Sequence, residues 1–185
     1  LTTEEIINKL TNNDLDVGLL AIPLHHSALF EETLFYEEFV VFVSLDEPPA
    51  EKQFLLANEI DVNRLWLLEE GHCLRSQIIN LCELKEKEKA THQLDFAAGS
   101  IETLKKIVEA NHGITILPQL ALNDLTATQK KQIRYFQQPA PVREIGFVTF
   151  RQHLKENLIK ALKAEILAHI PIEMQQDRKN EVVEI

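Results

Sequence analysis

The sequence predicts an α/β fold with mostly parallel sheets, and three observations carry that expectation. Apolar runs of strand length, such as LDVGLLAIP (15–23), EEFVVFVSL (37–45) and ITILP (114–118), alternate with stretches of helical period. The connections between them are short. A composition of 45% apolar and 26% charged residues over 185 positions belongs to a chain that can bury a core, in one domain or two small ones. No apolar run reaches the ~18 residues of a membrane span, and no signal-peptide pattern opens the chain. The expectation is therefore a cytoplasmic protein with no membrane contact.

Taken in order, residues 4–12 carry Ile6, Ile7 and Leu10 at helical spacing, capped by Thr2 or Thr3. This helix opens the chain without a Met and cannot bury its stripe alone, so the sequence is expected to be part of a longer protein. LDVGLLAIP follows as a buried parallel strand ending at Pro23. HHSALFEETLFYE reads as polar and irregular. EEFVVFVSL is the next strand, closed by Pro48-Pro49, and RLWLL (64–68) a third that leads into Gly71, His72 and Cys73. From Leu74 a helix carries Leu74, Ile78, Ile79 and Leu81, and LKEKEKATHQ after it is a solvated loop. LDFAA is a strand candidate. GSIETLKKIVEANHG is the clearest helix, with Ser100 at its cap and Gly113 as its stop. PQLALNDL gives a helical turn, QIRYFQ and EIGFVTF two strands. HLKENLIKALKAEILAHI is an amphipathic helix with Leu154, Leu158, Leu162, Ile166 and Ile170 on one stripe. The tail QQDRKNEVVEI reads as disordered.

The formal charge of −10, with Lys and Arg scattered among acids, argues against this stretch of chain gripping nucleic acid. Chemistry is concentrated in EEGHCLRSQIINLC. It holds both cysteines, Cys73 and Cys82, nine residues apart. Cys73 sits where a strand gives way to a helix, so unpaired N–H groups and the positive end of the helix dipole face it, with His72 and Arg75 beside it. That suits a nucleophilic thiolate, and a small buried apolar Cys fits the position as well. With the intervening helix intact, its rise of about 13 Å keeps the thiols apart, and a disulfide needs Cα atoms within about 7 Å. A Cys73–Cys82 bond would require the segment to unwind. Zinc ligation by His72, Cys73, Cys82 and His92 lacks the usual short ligand spacing and is disfavoured. The remaining histidines have no partnered acid and nucleophile, and no nucleotide or hydrolase motif is present.

LLEEGHCLRSQIINLC, followed by GSIETLKKIVEANHGITILP, resembles the regulatory domain of LysR-type transcriptional regulators and, within them, their peroxide-sensing members. LDVGLLAIP, LFYEEFVVFV and VREIGFV extend the resemblance over essentially the whole chain. SIETL and GITILP belong to the broad family; GHCLR with a second Cys nine residues on is the specific part. The resemblance implies two Rossmann-like subdomains of the periplasmic binding protein-like type, at 1–38 with 145–185 and at 39–144. It implies that the first strand–helix–strand of the former, and a DNA-binding winged helix-turn-helix, lie outside this chain. By the same resemblance Cys73 is the peroxidatic cysteine, oxidised by hydrogen peroxide to a sulfenic acid, and Cys82 resolves it to a disulfide. His72, Arg75 and Arg143 match residues around the peroxide pocket, and Thr3 matches a peroxide-binding threonine. Ser76 departs from the usual Asp, and the link from Cys82 to SIETL is about three residues longer than in the common pattern. The implied partners are hydrogen peroxide, further copies of the chain as dimer and tetramer, and a glutaredoxin- or thioredoxin-type reductant. Promoter DNA and RNA polymerase would be met only through the full-length protein. No cofactor and no enzymatic turnover are implied. Two rival readings are a LysR-type domain binding a small organic effector in its cleft, and a thiol peroxidase.

Overall fold

The computed structural model describes residues 1–45, 54–70, 72–82, 98–150 and 155–185. Pro48-Pro49, Gly71, the loop LKEKEKATHQ with His92, all of LDFAA but Ala98, and Leu154 lie outside the described residues. The chain divides into two compact units, Leu1–Glu37 with Val142–Ile185, and Glu38–Pro141.

In the first unit, helix α1 (Thr3–Thr11) starts from Thr2. The Glu5 N–H donates to Thr2 Oγ1 at 3.3 Å, and the Thr2 N–H donates to Glu5 Oε2 at 2.8 Å. Such a reciprocal cap satisfies two donors that the first helical turn leaves open. The helix buries Leu10, with Ile6 and Ile7 beside it, in a cluster with Leu20, Ile22, Leu29 and Val148. Leu20 and Ile22 come from strand β1 (Gly18–Ile22), which pairs antiparallel with β6 (Val142–Thr149), Leu20 opposite Gly146. Strand β2 (Phe30–Val43) lies on the other side of β6.

Three expectations fail here. β2 begins at Phe30 and not at Glu37, because its first residues alternate exposed and half-buried with acids among them, which hides a strand behind a polar composition. The tail is ordered rather than loose: after helix α5 (Glu156–His169), turns at Ile172–Gln175 and Lys179–Glu181 lead to a bridge between Val182 and Val142. The Val183 N–H donates to the Val142 carbonyl at 2.8 Å, and the Tyr36 hydroxyl donates to Asp177 Oδ1 at 3.3 Å. The stripe of α5 is also rotated from the expected one. Leu158 and Leu162 are exposed, and the half-buried side is Ile159, Lys163, Ile166, Leu167 and Ile170.

In the second unit, the C-terminal half of β2 is flanked by β4 (Ile114–Pro118) and β5 (Ile133–Phe136), both antiparallel, with Val41 opposite Ile116 and Arg134. Strand β3 (Phe54–Leu55) pairs parallel with β5, which follows the short helix α4 (Ala127–Lys130). Val40, Phe42, Val108, Leu117, Leu125 and Ile133 form the core, with Trp66 packed against it. RLWLL does not form a ladder among the described residues. It touches its neighbours through single parallel bridges, Leu65 to Ile114 and Leu68 to Ala98.

The sheets are therefore less parallel than the alternating pattern suggests. The long ladders here are antiparallel: β2 carries the chain from the first unit into the second and β6 begins where it returns, and a strand arriving that way is not bound to the parallel geometry of a βαβ crossover. Helix α3 (Ile101–Ala110) begins as expected, the Thr103 N–H donating to Ser100 Oγ at 3.2 Å. Its end differs. The left-handed residue is His112, at φ 51°, while a Cβ on Gly113 would fall 2.3 Å from the Trp66 ring. Gly113 admits the indole and does not supply the turn.

Candidate functional site

Helix α2 (Cys73–Leu81) carries both cysteines at its ends: Cys73 is its first residue, Cys82 its C-cap. The helix forms because Leu74, Ile78 and Ile79 are buried on one side, at 3%, 0% and 8% exposure, with Gln77 and Arg75 buried beside them. It closes with the Cys82 N–H donating to the Ile78 carbonyl at 3.0 Å. The thiols are free, half-buried, and separated by the length of the helix, a rise of about 13 Å.

At the start of α2, His72 is the N-cap in extended conformation, and its side chain makes no capping hydrogen bond. The Arg75 N–H donates to the His72 carbonyl at 3.0 Å, and Cys73 Sγ sits on the first residue of the helix. His72 Nε2 lies 3.9 Å from Glu69 Oε1. Arg75, 8% exposed, reaches back seven residues and donates from Nη1 to the Leu68 carbonyl at 3.0 Å. That bond closes the segment on which His72 and Cys73 ride. Glu69 is itself anchored, its N–H donating to the Ala98 carbonyl at 3.1 Å. Ser76 is half-buried on the helix. At the far end, burial pushes the Cys82 thiol up from 9.0 to about 11, so it is a protonated thiol at neutral pH.

His72, Cys73, Arg75 and Cys82 are thus brought together on one helix of the second unit. Thr3 and Arg143 belong to the first. Thr3 is the first residue of α1, half-buried, with Thr2 as the cap. Arg143, on β6, is engaged by Glu37: its Nε and Nη2 both donate to Glu37 Oε2, at 2.7 and 2.6 Å. Glu37 is fully buried, and this partner is one that sequence reasoning did not single out. Among the described residues, no three His, Cys, Asp or Glu side chains gather as a metal site, and no helix is long and apolar enough to cross a membrane.

The sequence matches the LysR substrate binding domain over residues 1–171. The chain belongs to the LysR substrate-binding domain family. Its fold is the periplasmic binding protein-like α/β fold of that family. It is 33% identical over 147 residues to the hydrogen peroxide-inducible genes activator of Haemophilus influenzae, a match covering 79% of this chain and 48% of that protein. It is 30% identical over 181 residues to the DNA-binding transcriptional dual regulator OxyR of Escherichia coli, covering 94% of this chain and 57% of that one. The chain therefore spans about half the length of these curated relatives. Among solved structures, reduced OxyR from Porphyromonas gingivalis superposes with a TM-score of 0.82 at 29% identity, covering 98% of this chain and 82% of that chain. This LysR-type domain is thus similar to OxyR in sequence and in fold, and the relatives named are transcriptional regulators.

Proposed function

We propose that this chain is the redox-sensing regulatory domain of an OxyR-like transcription regulator. Hydrogen peroxide meets Cys73, whose thiolate attacks one peroxide oxygen. The O–O bond breaks, the departing hydroxide takes up a proton and leaves as water, and Cys73 becomes a sulfenic acid. The Cys82 thiol then displaces the sulfenic oxygen as a second water, leaving a Cys73–Cys82 disulfide. The observation that carries this reading is the placement of the only two cysteines at opposite ends of one nine-residue helix. That helix holds them too far apart to bond, so the disulfide can form only by unwinding α2, and oxidation is written directly into conformation.

By resemblance, His72 and Arg75 attend the reacting sulfur, and Arg143 and Thr3 take the roles of the family's pocket arginine and peroxide-binding threonine. Arg75 also positions the segment through Leu68. In the longer protein the refolded segment would alter self-association and, through it, binding to promoter DNA and RNA polymerase, to raise transcription of antioxidant genes. A glutaredoxin- or thioredoxin-type protein would return the disulfide to thiols, in the cytoplasm. One peroxide is reduced per cycle, and the role is that of a sensor and not of an enzyme.

The test treats the reduced protein with stoichiometric peroxide and maps disulfides by mass spectrometry in wild type, Cys73→Ser and Cys82→Ser. The expected result is a Cys73–Cys82 bond in wild type only, a sulfenic acid in Cys82→Ser, and new proteolytic cleavage within 74–92. Absence of the bond, or its formation without new cleavage, sinks the reading.

A further inference from the structure

We propose that the tail after α5 is a strap across strands β2 and β6 that locks the Glu37–Arg143 pair, so that lifting the tail and loosening Arg143 are one event. All the residues concerned belong to the first unit. The family match ends at residue 171, yet the tail beyond it is ordered and fastened at three points. Gln175 Nε2 donates to the Leu167 and Ile170 carbonyls, at 3.0 and 2.9 Å, satisfying two acceptors left open at the end of α5. Asp177 Oδ1 accepts from the Lys179 N–H at 3.0 Å and from the Tyr36 hydroxyl at 3.3 Å. Val182 bridges Val142, and the Val183 N–H donates to the Val142 carbonyl at 2.8 Å.

The second and third points fall on the residues next to the pair. Tyr36 precedes Glu37 on β2 and Val142 precedes Arg143 on β6, two strands that lie side by side in the sheet. Successive strand residues point to opposite faces, so the Tyr36 phenol meets the tail on the face opposite to Glu37. Arg143 donates from Nε and Nη2 to a single oxygen, Glu37 Oε2, at 2.7 and 2.6 Å, and Glu37 is fully buried. Two donors converging on one buried oxygen tolerate little sliding of β2 against β6, since a hydrogen bond is lost beyond about 3.5 Å. The tail resists that sliding because it is bonded to both strands. Burial, the largest cause, pushes the Tyr36 phenol up to about 12, so it remains a donor to Asp177 throughout the neutral range. Coupling of this kind is reciprocal: weakening the pair must loosen the tail by the same factor. Under the function proposed above, where Arg143 is the pocket arginine, the tail becomes a second control on that residue.

The experiment follows proton exchange by NMR, at the Arg143 Nε–H for the pair and at the Val183 amide for the tail. Three variants are compared with the parent chain: truncation after Gln176, which keeps the Gln175 cap on α5, Tyr36→Phe, and Glu37→Gln. Truncation is expected to speed exchange at Arg143 Nε on the order of tenfold, the strength of about one hydrogen bond, and Tyr36→Phe by less. Glu37→Gln should in turn speed the Val183 amide by a similar factor. The amides of β1, in the same unit, should keep their parent rates in all three. An unchanged Arg143 Nε rate after truncation overturns the inference. So does a uniform rise that includes β1, which would mean that the tail only stabilises the unit as a whole. A Val183 amide left at its parent rate by Glu37→Gln overturns it as well. None of these measurements involves Cys73 or Cys82, so this inference and the redox reading hold or fail separately.

Discussion

At the scale of residues, the two cysteines differ in what their surroundings allow. Cys82, held up at about 11 by burial, carries almost no thiolate at neutral pH and is a poor nucleophile while α2 is formed. Unwinding the helix both shortens the gap to Cys73 and returns Cys82 to water, so one event removes two obstacles. In the Cys73→Ser protein, the rate of Cys82 alkylation should climb toward pH 11 in the native state and toward pH 9 in denaturant, measured by mass spectrometry of the labelled peptide. Coincident profiles would show that burial does not silence it. Arg143 carries a second prediction. Removing it by Arg143→Ala takes from the buried Glu37 side chain a guanidinium that donates to it twice, a loss on the order of 1–3 kcal/mol. Urea unfolding should show that loss, so any fall in peroxide response in this variant must be compared with its stability. His72, Cys73, Arg75 and Cys82 were legible in the sequence because GHCLR and the nine-residue spacing form a pattern. Glu37 and Glu69 were not. Each is one acid among 29, and only the fold reveals which cation or ring it faces.

At the scale of elements, α2 is the part that the proposed Cys73–Cys82 bond would have to break, and its burial sets how hard that is. Returning Leu74, Ile78 and Ile79 to water costs about 1.5–3 kcal/mol each, a resistance that holds the thiols apart while the helix is formed. Ile78→Ala should destabilise the reduced protein by about 2–5 kcal/mol in chemical denaturation. It should also speed disulfide formation after the sulfenic acid appears, read by quenched-flow thiol trapping. A slower disulfide step in that variant would mean that unwinding does not limit it. Helices and central strands were legible from period and capping: Thr2, Ser100 and the apolar run ITILP all behave as written. The failures share a cause, since they depend on what lies opposite. The start of β2 is polar because its first residues are partly exposed, and the stripe of α5 is set by the surface it meets, which spacing alone cannot choose between Leu158 and Ile159. Gly113 reads as a helix stop in the sequence but is a seat for Trp66.

At the scale of the molecule, each unit holds, among the described residues, one acidic group whose titration is delayed by folding, and together they predict how stability depends on alkaline pH. In the second unit, burial moves Cys82 from 9.0 to about 11. In the first, burial, followed by the charges of Glu144 and Asp177, moves Tyr36 from 10.0 to about 12. Glu144 itself accepts from the Thr33 hydroxyl, so the phenol is set among acceptors that favour its neutral form. For both groups the folded state keeps a proton that the unfolded chain has already released, so rising pH favours unfolding. The contribution is fully present below pH 9, is lost by Cys82 between about 9 and 11, and by Tyr36 between about 10 and 12. Denaturation midpoints should therefore be insensitive to these two groups near neutrality and fall progressively above pH 9. Cys82→Ser should remove the earlier part of that decline and Tyr36→Phe the later part. Because the two residues lie in different units, the variants also report whether the units unfold together. If they do, each substitution reshapes a single transition. If they do not, Cys82→Ser alters only a transition followed by Trp66 fluorescence, and Tyr36→Phe only one followed by the phenolate absorbance of Tyr36 in the parent. A decline above pH 9 that survives both substitutions would place the alkaline weakness elsewhere.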